Sequence, residues 1–142
     1  MQDKKEPILV AVYGSLRSGF HNHSLLSDSK LLGTFDTEPI YDMYSCGSFP
    51  GLVLHGSTSI KMEIYEVTEE VSKKVERLEG YTKGDEMDNH YNKVMIDTPY
   101  GEAGTYIYNN STTRLPKVDS GDWKVWREIV SKNVKQTVSL WD

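Results

Sequence analysis

Ile8-Leu9-Val10-Ala11-Val12-Tyr13-Gly14-Ser15-Leu16-Arg17 is an apolar, β-branched run that stops abruptly in a small polar turn. Such a run reads as a buried strand. Gly14 lets the backbone turn sharply and lets a ligand approach the main chain closely. A strand ending this way points the N–H groups around Gly14, Ser15 and Leu16 outward, where they can hold an anion or a developing oxyanion. An ordinary core strand ending at a glycine turn has the same pattern, so the rest of the chain must decide.

Working outward, further strands are expected over Leu31–Phe35, Gly51–Leu54, Ser59–Val67, Tyr91–Asp97 and Ala103–Tyr108. Ile60, Met62 and Ile64 alternate with Lys61, Glu63 and Tyr65, the period of a half-buried strand. Pro99-Tyr100-Gly101 reads as a hairpin turn. Thr68 caps a predicted helix with Glu69 and Glu70 in its first turn, an apolar stripe of Val71, Val75 and Leu78, and Gly80 as its stop. A second helix starts near Asp122 or Trp123 and sets Trp126, Val130 and Val134 on one face, with Asp122 as its cap. A shorter helix is expected around His23 to Ser29. Many strands and few helices, not in strict alternation, predict an α+β fold. Its form is a small mixed barrel or curled sheet with helices packed outside. The 142 residues suit one domain, preceded by a polar extension over 1–7.

The formal charge of −5, with no basic block, argues against a nucleic-acid partner. The lone Cys46 forbids an internal disulfide and has no base beside it in sequence. No run approaches membrane-spanning length and no secretory signal is present, so a cytoplasmic protein without a membrane partner is expected. His21, His23, His55 and His90 show no metal spacing beyond the His21/His23 pair, and that pair, beside Asn22 in a polar loop, reads as surface residues.

Glu79 stands apart from the other acidic residues. It falls at the edge of the helix stripe and in the last turn. Partial burial and the negative end of the helix dipole both disfavour its anion and raise its pKa, which suits a general acid/base. A surface role, paired with Lys83, fits the same position. Ser15 sits in no Gly-x-Ser-x-Gly context and reads as a hydrogen-bonding group rather than a nucleophile. Tyr13 reads as a pocket wall whose hydroxyl reaches substrate or Glu79. Arg17 either holds a carboxylate or flanks the turn. Tyr106 and Tyr108 are read as facing opposite sides of one strand, so that at most one reaches the site. Thr82 to His90 reads as a mobile acidic rim that could set selectivity.

Tyr13-Gly14-Ser15-Leu16, Glu76-Arg77-Leu78-Glu79-Gly80-Tyr81, Tyr91-Asn92-Lys93 and Ser120-Gly121-Asp122-Trp123, in this order, resemble the gamma-glutamylcyclotransferase-like family, of the gamma-glutamylamine or butirosin-pathway type. The resemblance runs from about residue 8 to about 125. It implies the same curled-sheet fold and a catalytic acid/base at Glu79. It implies a substrate loop of Tyr13, Gly14, Ser15 and Leu16, with Tyr91 lining the pocket. It implies a small γ-glutamyl amide as substrate, cyclised to 5-oxoproline by its own α-amine, in a chemistry needing no metal or cofactor. Two departures stand out. Met62 replaces a glycine of the family pattern, which would narrow the pocket, and Lys93 replaces an arginine, losing its bidentate fork. A catalytically inactive small-molecule binding domain of the same fold is the alternative that Met62 keeps open. A carboxylate-pair glycosidase would need Glu63 as the second acid.

Overall fold

The computed structural model describes residues 7–140, with side chains to 132. Its strands are β1 (Ile8–Val12), β2 (Lys30–Asp36), β3 (Tyr41–Ser45), β4 (Pro50–Thr58), β5 (Lys61–Val67), β6 (Tyr91–Thr98) and β7 (Gly101–Tyr108). Two α-helices, α1 (Glu69–Leu78) and α2 (Trp123–Leu140), and a short 3-10 helix at His23–Leu26 complete the order. β1 is the axis of a five-stranded mixed sheet, β2-β5-β1-β7-β6, antiparallel to β5 and parallel to β7. The two sheet edges do not pair. They curl toward each other, and the Tyr100 hydroxyl of the β6–β7 turn closes on Gly33 of β2. The turn is the expected one, with Thr98 opposite Gly101 across Pro99-Tyr100.

Both faces of the sheet are covered. Leu9, Ala11, Ile60, Met62, Ile64 and Ala103 pack under β3, β4 and Trp123. Val10, Val12, Tyr65, Val67 and Tyr106 pack under Val75 of α1 and Leu26. The alternation in β5 therefore does not mark a half-buried strand: Glu63 and Tyr65, on the face expected to be exposed, are buried. β3 is an unexpected strand. Its Tyr41, Met43 and Ser45 are buried at period two. It pairs with β4, which runs on past Leu54 through a register shift between Tyr41 and Asp42. The Asp42 carboxylate secures that irregularity by accepting from the Ser57 N–H and the Thr58 hydroxyl.

Both helix starts follow the expected chemistry. The Thr68 hydroxyl accepts the Val71 N–H, and Asp122 accepts from Lys124. Leu78, placed in the apolar stripe, is instead largely exposed, and Ser72 is the buried neighbour of Val75. In α2, Trp123 enters the core and Trp126 packs beside it. The expected polar extension, apart from Pro7, and the Val134 side chain lie outside the described residues.

Arg17 ties three distant parts of the chain together. Its Nε donates to Glu63 Oε2 at 3.1 Å and its Nη1 to Asp122 Oδ1 at 2.8 Å, with only 6 % of the side chain exposed. Glu63 also accepts the Ser18 N–H and the Tyr65 hydroxyl. Burial works against ionising Asp122, but the Arg17 guanidinium outweighs it and holds that carboxyl below its ordinary value. Removing one member of a buried pair strands the other's charge. Arg17→Ala should therefore lower stability by about 3–5 kcal/mol in urea unfolding. A loss under about 1 kcal/mol, as for a surface ion pair, would contradict the clamp.

Candidate active site

α1 ends in a defined cap. The Gly80 N–H donates to the Arg77 carbonyl and the Tyr81 N–H to the Glu76 carbonyl, with Gly80 at φ +67°. This pattern requires a left-handed residue just beyond the helix, which explains the glycine. It leaves Glu79 as the last residue before the reversal. There Glu79 faces a cavity of about 150 Å³ lined also by Val12, Tyr13, Leu16, Phe49, Tyr91 and Tyr106. Its carboxyl makes no hydrogen bond or ion pair among the described residues, and Lys83 does not pair with it. Loss of solvent in these apolar and aromatic surroundings pushes its pKa from 4.5 up to about 7.

The turn after β1 lines the same cavity. Arg17 N–H donates to the Gly14 carbonyl at 2.9 Å, and Asn22 N–H to the Ser15 carbonyl at 3.0 Å. The N–H groups of Gly14, Ser15 and Leu16 meet no acceptor among the described residues, and all three residues line the cavity. Gly14 is required for a reason the sequence did not disclose. A Cβ there would stand 2.5 Å from Pro50 Cγ, so the close approach is by β4. The Ser15 hydroxyl accepts from Asn22 Nδ2 at 2.9 Å.

Tyrosines surround Glu79. Tyr13, Tyr91 and Tyr106 are buried, and burial first, with the Glu79 charge contributing, pushes all three hydroxyls toward the protonated form. The Tyr13 hydroxyl does not reach for Glu79: it donates to the Tyr106 carbonyl at 2.6 Å. Tyr91 donates to the Pro50 carbonyl at 2.6 Å. Tyr106 and Tyr108 share one face, because residues two apart on a strand do. Tyr106 lines the cavity, while Tyr108 packs against Tyr91 and His90.

Several readings need correction. Met62 is fully buried on the other face of the sheet and lines no part of the cavity, so it does not narrow it. Glu63 is held by Arg17 away from the cavity lining, so Glu79 has no second carboxylate beside it there. Lys93 anchors Glu76 of α1 at 3.1 Å. The 82–90 loop is pinned rather than loose. Asn89 bonds both the N–H and the carbonyl of Thr82, and Asn109 donates to the carbonyls of Glu86 and Asn89. His21 is exposed, as read, and it also lines the cavity, as does the exposed His90. His90 stacks edge-on with Phe49 and Tyr91, an arrangement visible only once β4 and β6 are brought together.

An unpaired, desolvated carboxylate in one cavity with free backbone donors defines a pocket suited to proton transfer on a substrate that carries negative oxygen. The family model described as gamma-glutamyl cyclotransferase, AIG2-like, matches residues 10–125, and the chain belongs to that family. A gamma-glutamylcyclotransferase family protein, YtfP of Escherichia coli, is 34 % identical over 114 residues, 80 % of this chain and 94 % of its own. The gamma-L-glutamyl-butirosin B gamma-glutamyl cyclotransferase of Niallia circulans is 30 % identical over 122 residues, 82 % of this chain and 75 % of its own. An uncharacterized protein from Pyrococcus horikoshii superposes with a TM-score of 0.72 at 27 % identity, over 88 % of this chain and 97 % of that one. Among the described residues no helix is long and apolar enough to cross a membrane.

A carboxyl whose pKa is raised on folding binds protons more tightly in the native state. Above pH 4.5 the unfolded carboxyl gives up its proton first, so the raised pKa lowers stability progressively until about pH 7. Glu79→Gln removes that dependence. The melting temperature of the variant should gain on wild type as pH rises from 4.5 to 7 and hold its advantage above. A difference independent of pH would refute the raised pKa.

Proposed function

We propose that this chain is a gamma-glutamylcyclotransferase that releases 5-oxoproline and a free amine from a γ-glutamyl amide, with Glu79 as general acid/base. The observation that carries the reading is the unpaired Glu79 carboxyl, at a pKa of about 7, in the same cavity lining as Gly14, Ser15 and Leu16 with their unused N–H groups.

The substrate's own α-amine attacks its γ-carbonyl carbon. Attack within one molecule removes most of the entropic cost of bringing the reactants together. The α-ammonium must first lose a proton, and Glu79 in its ionised form accepts it. The C–N bond forms and the carbonyl oxygen becomes an oxyanion. The backbone N–H groups at Gly14, Ser15 and Leu16 serve that oxyanion and the substrate's α-carboxylate. As the intermediate collapses, Glu79 returns the proton to the departing nitrogen, whose bond to the carbonyl carbon breaks. The carboxylate so regenerated takes the second proton from the ring nitrogen and passes it to solvent, which leaves the neutral lactam. One carboxyl with a pKa near neutrality performs both steps, because it is neither too weak a base at the start nor too weak an acid at the end. Tyr13 and Tyr91 shape the walls, and no step calls on a metal or cofactor.

The test is 5-oxoproline release from a panel of glutathione, γ-glutamyl amino acids and γ-glutamyl-lysine isopeptide. Wild type should turn over at least one member, with a rate that rises through about pH 7 as Glu79 ionises. Glu79→Gln should lose about 10²–10⁴-fold in kcat. Binding without turnover by wild type would instead indicate a binding domain.

A further inference from the structure

Among the described residues, the Tyr106 hydroxyl is the only side-chain nitrogen or oxygen fully cut off from solvent that has no hydrogen-bond partner; the Glu79 carboxyl, also unpaired, belongs to a residue that lines the cavity. The Tyr106 side chain is almost wholly enclosed, with 3 % of the residue exposed. A buried hydroxyl without a partner destabilises a fold, and native proteins keep few of them. The ring is not free to turn out to water. The Tyr106 carbonyl receives the Tyr13 hydroxyl, its strand is held between β1 and β6, and Tyr81 stands edge-on to the ring at 6.2 Å.

The two acidic side chains nearest in effect, Glu76 and Glu79, both act electrostatically on Tyr106, yet neither accepts its proton. Glu76 is engaged by Lys93. Tyr106 and Glu79 both line the cavity, so a ligand held there is the acceptor within the site that the hydroxyl lacks in the free protein. We infer that Tyr106 is a substrate-contacting residue whose hydroxyl donates a hydrogen bond to the carbonyl oxygen of the amide being cleaved. The inference rests on the γ-glutamyl reading above. A γ-glutamyl amide offers two oxygen acceptors, its α-carboxylate and its amide carbonyl. Glu79 must reach the attacking nitrogen and the leaving nitrogen, and both are bonded to the same carbonyl carbon in the intermediate. A donor that lines the same cavity as Glu79 therefore has that carbonyl oxygen as its acceptor. There it strengthens as charge develops, adding a side-chain donor to the backbone N–H groups of the turn after β1.

Tyr106→Phe separates this role from a structural one. The hydroxyl has no partner in the free protein, so the variant's melting temperature should equal or exceed that of wild type. Tyr13→Phe breaks a bond that is made, and should lower it. With the best γ-glutamyl amide of the panel as probe, Tyr106→Phe should lose about 10²-fold in kcat, with KM much less affected, and keep the wild-type pH midpoint. An unchanged kcat in an active protein overturns the role of Tyr106 and leaves the cyclotransferase reading intact. A melting temperature lowered as much as in Tyr13→Phe, or failure to fold, overturns it too by exposing a structural partner. If wild type releases no 5-oxoproline from any member, the functional reading fails first and this inference falls with it.

Discussion

The buried guanidinium of Arg17 is the constraint on which the site depends. It sits one residue beyond the turn that supplies the free backbone donors. It joins that turn to β5 through Glu63 and to the start of α2 through Asp122, 105 residues along the chain. A turn with three unused N–H groups has little internal reason to keep one shape. Ion pairing at its far end supplies that reason, and the Ser18 N–H bonded to Glu63 extends it. Asp122 serves at the same time as helix cap and counter-charge, so the late Ser-Gly-Asp-Trp segment acts on the site without touching it.

The second wall is built on a different principle. The α1 cap ends the helix at Glu79, and Gly80 reverses the chain. This leaves a carboxyl at a helix end, but the surroundings are what raise its pKa. Leu16, Phe49 and the tyrosines exclude water, and no cation pairs with the carboxyl among the described residues: Arg17 is engaged by Glu63 and Asp122, and Lys93 by Glu76. Desolvation with no opposing partner then raises the pKa. Had Lys93 reached Glu79 instead, the same burial would have produced an ordinary buried ion pair.

The local chemistry of the chain was readable in its sequence. The strand ending at Tyr13, the Thr68 cap, the Gly80 stop and the tight turn at Pro99-Tyr100 each depend on residues a few positions apart. So was Glu79, whose place at the stripe edge follows from helix periodicity. What escaped depends on pairing over distance. The Pro50 and Phe49 wall exists because β3, whose alternation was overlooked, carries β4 against the turn. The Tyr13 hydroxyl meets a carbonyl 93 residues away, and no local pattern announces that. Arg17 offered either of two roles until Glu63 and Asp122 were folded beside it. Met62 looked like an obstruction because its face of β5 could not be assigned before both faces were known to be covered.

The account stands on a single desolvated carboxyl. A ¹³C NMR titration of the glutamate side-chain carboxyl carbons, with Glu79 assigned by the signal that disappears in Glu79→Gln, measures it directly. A midpoint near pH 7 for that signal is the expected result. A midpoint near 4.5, in line with an ordinary solvated glutamate, would contradict the site described.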